Sequence, residues 1–230
     1  MQDKTAKIDK NNLKKTGRYH LDSFEKIGDE KRRRIIESAL IEFSSKGYNG
    51  ANINIIAKNA GISIGSMYQY FGSKEKLFLT VIDIAYGIIE RSLAAIDRIQ
   101  GDIYIKLDQI IDYVQKYSRE YRLLNQIYLE ATTQGLAALS KNLSHKMETV
   151  SSSYYKSLLS AAIKQGLVDK KISVDTASFC LDNIILLLQF SYSSDYYMER
   201  MKIFAGAGSQ KDDKRIREEI MYILKKILAP

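Results

Sequence analysis

A single proline in 230 residues is the feature that most constrains this chain. Proline stops helices because it lacks a backbone N–H and clashes with the preceding turn. With almost no such stops, and with Ile, Leu, Lys and Glu abundant, the backbone is free to run in long helices. The apolar residues then repeat at helical spacing: Leu107, Ile110, Ile111, Val114 and Tyr117; Leu124, Ile127, Tyr128 and Ala131; Met147, Val150, Tyr154 and Leu158. Spacings of three and four place each set on one helix face. An all-α fold follows, with successive helices packed as a bundle.

Charge is unevenly placed. The net charge is +8, and residues 1–80 hold 15 Lys/Arg against 9 Asp/Glu. Positive charge concentrated in the N-terminal third points to a polyanion: nucleic acid, an acidic protein or an anionic membrane surface. The other classes are poorly supported. His20 and His145 lie far apart, and no HExxH, Walker A or GxGxxG pattern occurs, so no catalysis, metal or cofactor is expected. The Gly206–Lys211 stretch, GAGSQK, lacks the spacing of a phosphate loop and reads as a connection between helices. Cys180 is the only cysteine; it lies in an apolar helical run and is expected to be an inert core thiol in a reducing, cytoplasmic compartment. No apolar run approaches the ~18 residues of a membrane span.

The N-terminal third has more local detail. Residues 1–27 read as a flexible basic tail, polar and without periodicity. A helix starts near Gly28 or Asp29, with acids in its first turn and a stripe of Ile35, Ile36, Ala39, Leu40 and Phe43; Gly47 ends it. Asn52 suits the N-cap of a short helix with Ile53, Ile56, Ala57 and Ala60 on one face. Gly61 turns the chain, and Ser63 caps a second short helix, roughly 64–71. Ser73 then caps a long helix. Two short helices joined by a glycine turn make a helix-turn-helix.

Here the chain resembles a known family. Residues 29 to about 83 are similar to the DNA-binding domain of the tetracycline-repressor (TetR) family. Ile35, Ala39, Phe43, Gly47-Tyr48, Ile56-Ala57, Gly61-Ile62-Ser63, Tyr68-Gln69-Tyr70-Phe71 and Lys74-Glu75-Lys76-Leu77 stand in register with the family's pattern. Ala51 stands where that family usually has Thr, and Ile64 where it often has Lys. The resemblance implies a helix-turn-helix domain at 28–75 and an effector-binding and dimerisation domain at 76–230. It also implies a homodimer paired through the last two helices, about 174–200 and 212–228, and a repressor released from its operator by a small molecule.

The residues fit that use. A recognition helix enters a major groove only ~12 Å wide. Gly65 removes a side chain at the closest approach, with Ile64 beside it. Ser66 is short enough for a base edge or phosphate, and Gln69 suits adenine in a bidentate contact. Tyr68 and Tyr70 end in hydroxyls that reach phosphate oxygens. Lys74, Asn52 and Asn54 begin helices, where free N–H groups also face an anion. For the effector, tyrosine combines an apolar ring with a hydroxyl. Tyr113, Tyr117, Tyr128, Tyr154 and Asn183, on or beside the apolar stripes, are the expected pocket, and they suit a hydrophobic or aromatic ligand. A basic helical protein that binds an acidic partner or membrane surface is the alternative.

Overall fold

The computed structural model describes residues 19–133 and 137–230; for Thr133 and residues 137–147 only the backbone is described. The described residues form eleven α-helices and no strand. Of the expected basic tail, residues 1–18 lie outside the described residues, as does the side chain of Met147.

The chain divides into two compact units. The first holds α1 (Asp22–Glu25), α2 (Asp29–Gly50), α3 (Ile53–Asn59), α4 (Ile64–Phe71), the part of α5 (Lys74–Asp97) up to Ile89, and α7 (Arg122–Thr133) from Leu123. The second holds the rest of α5, α6 (Ile103–Glu120), α8 (Ala137–Lys164), α9 (Val174–Ser191), α10 (Asp195–Ala205) and α11 (Asp213–Leu228).

In the first unit α3, α4 and α5 each start on a side-chain cap. Asn52 Oδ1 accepts from the Asn54 N–H at 2.9 Å, Ser63 Oγ from the Ser66 N–H at 3.1 Å, and Ser73 Oγ from the Lys76 N–H at 3.1 Å. These bonds satisfy amide donors that a helix start leaves without partners. Gly47 breaks the α-helical run of α2 with φ +68, a conformation that costs other residues about 1 kcal/mol or more. The core is Phe43, Phe71, Phe78, Met67, Leu77 and Ile56, all fully buried. Phe43 and Phe78 meet edge to face at 5.1 Å, a favoured aromatic geometry.

The expected tail ends earlier than its composition implied. Phe24 is buried at 3% exposure and His20 is also buried, and residues 22–25 form the helical turn α1. The cause is Phe24, whose ring sits 4.7 Å from that of Phe71. The first unit also takes in α7, which lies in the C-terminal region of the sequence.

In the second unit α6 buries Ile103, Leu107, Ile110, Ile111 and Val114 and packs on α9 and α11, while α8 and α10 pack on α9. Arg119 holds Asp213 through paired 2.7 Å bonds, and Arg217 pairs with Asp112. Buried Gln115 donates to the Tyr192 hydroxyl at 3.1 Å and to the Asp213 carbonyl at 2.9 Å.

Two expectations fail in this unit. The single helix over 174–200 is two helices, parted at residues 192–194. Ser193 Oγ donates back to the Gln189 carbonyl at 3.0 Å; such serine back-bonds bend or end helices. Tyr192 is drawn into the core, where Gln115 holds it. The second failure is Cys180, which is exposed. It shares the outer side of α9 with Phe179, so the apolar run around it is not all core.

Candidate nucleic-acid interface

Helix α4 is two turns long and sharply two-sided. Met67, Tyr70 and Phe71 point into the unit and are buried. Ile64, Gly65, Tyr68 and Gln69 are exposed, and Ser66 is half-buried. Helical spacing requires this division: 64, 65, 68 and 69 share one face, and 67, 70 and 71 the other. The outer face thus carries no charge. It offers a carboxamide, a phenol, a hydroxyl and a gap.

The gap is at Gly65. A Cβ built there meets only Ser63 Oγ, at 3.9 Å, and the residue lies in regular helix. Among the described residues nothing requires a glycine at 65. The glycine lies in the first turn of α4 and leaves an open notch on its outer face. Gly61 differs: its φ of +68 makes it part of the turn itself.

Residues around α4 fix its presentation. Gly72 donates its N–H to the Tyr68 carbonyl at 2.7 Å. Ser63 and Ser66 hydroxyls lie 2.9 Å apart. Asn52 and Asn54 are exposed at the start of α3; Asn52 uses its oxygen on its own cap, and its N–H donates to buried Glu42 at 3.1 Å. Exposed Lys58 also lies on α3.

Two of the expected contact residues have other work. Tyr70 is buried at 6% exposure, its ring beside Phe24 and its hydroxyl accepting from Lys31 Nζ at 2.9 Å. It packs the domain, because position 70 falls on the inner face with Met67. Lys74 Nζ donates to the carbonyls of Asn49 at 3.3 Å and Ala51 at 3.1 Å and lies 4.9 Å from the Tyr48 ring centre. An ammonium has three protons, so two are committed to clasping the turn after α2.

Sequence reasoning missed Glu42, Ser23, Phe24 and Glu130. The Glu130 carboxylate on α7 accepts the Tyr48 N–H at 2.9 Å and lies against Gly47. An acid inside an apolar stripe was the available signal for Glu42. The other three are set by contacts across 46 residues or more, which no local pattern carries.

The expected effector residues do not all come together. Tyr128 is buried in the first unit; the other four lie in the second. Tyr113 and Tyr117 stack at 3.9 Å, and Tyr117 continues onto Tyr121 at 5.7 Å. Tyr113 and Tyr117 are positions i and i+4 of α6, and Tyr121 is its C-cap. Ser92 donates to the Tyr113 hydroxyl, and burial pushes the Tyr113 phenol up to about 12. Tyr154 meets Tyr155 edge-on at 5.8 Å. Its hydroxyl is buried with no hydrogen-bond partner among the described residues, and burial pushes its pKa up to about 12. Asn183 Nδ2 donates within its own helix to Phe179 O at 2.7 Å. Asp182, on the same helix, is pushed up by burial, opposed by a hydrogen bond from Ser151. A groove of about 330 Å³ opens elsewhere in the second unit, between Tyr104, Gln109, Met221 and Lys225; none of the five expected residues lines it.

Comparisons with known proteins agree with this geometry. The family of bacterial regulatory proteins designated tetR matches residues 35–81. The HTH-type transcriptional regulator YuxN of Bacillus subtilis is 47% identical over 57 residues, which is 25% of this chain and 20% of that protein. The HTH-type transcriptional repressor NicS of Pseudomonas putida is 31% identical over 117 residues, 50% of this chain and 55% of its own length. The chain thus spans about a fifth and about half of these two relatives. A crystal structure of a TetR family transcriptional regulator from Chloroflexus aurantiacus aligns with 90% of this chain and 97% of its own, at a TM-score of 0.64 and 26% identity.

Proposed function

This chain belongs to the tetR family of bacterial regulatory proteins, and from that premise we propose that it is a homodimeric repressor released from its operator by a small hydrophobic or aromatic ligand. DNA binding and transcription regulation come with the family. The repressor sense, the dimer and the ligand are our reading.

One observation carries the DNA-reading role of α4: a two-turn helix whose outer face is Ile64, Gly65, Tyr68 and Gln69, with an open notch at Gly65 that nothing among the described residues requires. Gln69 is the candidate base reader. Ser66 and Tyr68, with Asn52 and Asn54, are the candidate backbone contacts, which position without specifying.

The dimer reading rests on unburied apolar surface. Phe179 and Leu187 on α9, and Tyr222, Ile223 and Ile227 on α11, are exposed. Helix α9 is long and apolar enough to cross a membrane, with 18 residues at mean hydropathy 1.2. It nevertheless carries Asp175, Asp182, Asn183 and Gln189, which suit a protein partner better than lipid. A second copy covering α9 and α11 explains both the pattern and the exposed Cys180.

The ligand reading rests on Tyr154 and the tyrosine stack of α6. A buried hydroxyl without a partner costs about 1–3 kcal/mol, and a ligand polar group that meets it recovers that cost. Flat tyrosine faces suit aromatic or cationic rings.

The test is to pass fragments of the source genome over the full-length protein and sequence what is retained. A near-palindromic motif, with half-sites about one helical turn apart and an affinity that falls steeply with salt, is the expected result. Retention without a shared motif would defeat the reading of Gln69 and favour a general polyanion binder.

A further inference from the structure

We propose that the segment His20–Glu25 is a positioning element for DNA reading: it clamps the C-terminal turn of α4 from behind and sets the direction of Gln69. The inference rests on the DNA-reading role of α4 and adds residues that lie outside the family match at 35–81.

A two-turn helix is marginal alone, and its last carbonyls have no partners within the helix. In α4 two of those carbonyls are taken by the same outside segment. Ser23 Oγ donates to the Gln69 carbonyl at 2.5 Å, and the Leu21 N–H donates to the Tyr70 carbonyl at 2.7 Å. The side chains close around these bonds. Phe24 lies 4.7 Å from Phe71 and 6.2 Å from Tyr70, ring centre to ring centre, and His20 lies 5.1 Å from Phe24. Lys31 on α2 fixes the Tyr70 hydroxyl. The peptide that carries the candidate base reader is therefore held at its own carbonyl oxygen.

Part of the burial of α4 comes from this segment, since Phe24 covers Phe71, and part from the helix-turn-helix core. Met67 and Phe71 anchor the helix, and both are fully buried with Ile56 and Phe78. What the clamp adds beyond burial is angular control of the last turn, which bears Tyr68 and Gln69 outward. A bidentate base contact depends on the direction of the side chain, whereas phosphate contacts position the protein without reading sequence. Loosening the clamp therefore lowers discrimination more than general affinity.

The experiment uses the full-length chain and two duplexes: one selected by the unmodified protein from a random-sequence library, and one of the same length and composition with its sequence shuffled. Ser23→Ala and Phe24→Ala should bind the selected duplex about tenfold more weakly and the shuffled duplex within about twofold of the parent, a loss in the range of one lost base contact. Ser23→Thr, which keeps the hydroxyl, should restore the ratio. Equal loss on both duplexes, tracking a fall in Tm, would show a stabilising role only and overturn the proposal. Unchanged binding of Ser23→Ala to both would overturn it as well. If the unmodified chain itself selects no duplex over the shuffled one, the DNA-reading role of α4 fails first, and the clamp falls with it for that separate reason.

Discussion

The two units use the same helical period to different ends. In the first, the main apolar stripe is covered by the same chain: Ile35, Ile36, Ala39, Leu40 and Phe43 of α2 are buried, α2 packs on α3 and Phe43 meets Phe78 of α5. The apolar residues left exposed there, such as Ile55 and Ile64, are fewer and, as a group, less exposed than those of the second unit. In the second, α9, α10 and α11 each keep apolar side chains in the open, with Phe179, Ile203, Phe204 and Ile227 all above 60% exposed. An apolar residue every third or fourth position says that a helix face will be covered. It does not say by which chain. The first unit covers most of its large apolar residues with its own chain; the second leaves several of the largest exposed.

The sharpest way to break that contrast is through Gly47 in the first unit. A Cβ at 47 would overlap the Glu130 carboxylate, and φ is +68. Gly47→Ala should lose about 3 kcal/mol of stability, from left-handed backbone strain plus displacement of a hydrogen-bonded carboxylate. Gly61 has the same φ and open space around it, so Gly61→Ala should lose only about 1 kcal/mol. Urea unfolding of both variants measures the difference. Equal losses would mean that Glu130 contributes nothing and that α7 is not knit into the first unit.

Next comes the second unit's outer face. Ile223→Glu on α11 places a charge where the proposed partner copy sits, and two-fold symmetry repeats it. The dimer should weaken by about 100-fold or more, as removal of a central interface anchor does, while the helical content of the monomer stays unchanged. Sedimentation of the variant over a range of concentrations checks this. A variant that remains as dimeric as the parent would move the interface off α11.

How much of this was legible in the sequence follows from the same contrast. The first unit was read in most of its local detail, because the Asn52, Ser63 and Ser73 caps and the Gly47 and Gly61 turns are all set by neighbours within a few positions. The reading broke where contacts are long-range. Phe24 had no periodic neighbours to mark it, and Tyr70 was placed on the DNA side although its spacing from Met67 puts it inside. In the second unit the stripes of α6 were right, but the break at residues 192–194 depends on Gln115, 77 positions away from the Tyr192 hydroxyl it holds. Cys180 was assigned to a core that ends one helix face short of it.

A smaller effect is expected at the outer face of α4. Gly65→Ala should leave stability unchanged or raise it slightly, since alanine favours helix by about 1 kcal/mol and meets open space. Its affinity for the selected duplex should nonetheless fall. Gln69→Ala should cost about 1–3 kcal/mol, concentrated at particular base pairs. Lys74→Ala should differ from both by lowering Tm as well as affinity, because its ammonium holds the Asn49 and Ala51 carbonyls. Competition titrations against single-base operator variants, run beside thermal melts, separate the three. If Gly65→Ala binds as well as the parent, the vacancy at 65 has no external partner.

The smallest effect is the most diagnostic of the second unit's openness to a ligand. Tyr154 carries a buried hydroxyl without a hydrogen-bond partner among the described residues, so Tyr154→Phe should stabilise the ligand-free protein by about 1 kcal/mol. The pH dependence supports a second reading of the same residue. Its phenol is pushed up from 10.0 to about 12, first by burial and then by the charge of Asp97. Above pH 10 the unfolded phenol ionises while the folded one stays neutral, so unfolding releases a proton and stability falls as pH rises from 10 to 12. Below pH 10 both states are neutral and the contribution is fully present. Tyr113 and Tyr192 are raised to about 12 as well, burial again the largest cause, so the parent should lose stability steeply over that window. Tyr154→Phe should lose it less steeply, and its advantage over the parent should widen from pH 10 upward. Chemical denaturation at pH 8, 10 and 11 reads both effects. A variant less stable than the parent at pH 8 would mean that the hydroxyl already contributes to the ligand-free fold, and the argument for Tyr154 as an effector anchor would lose its basis.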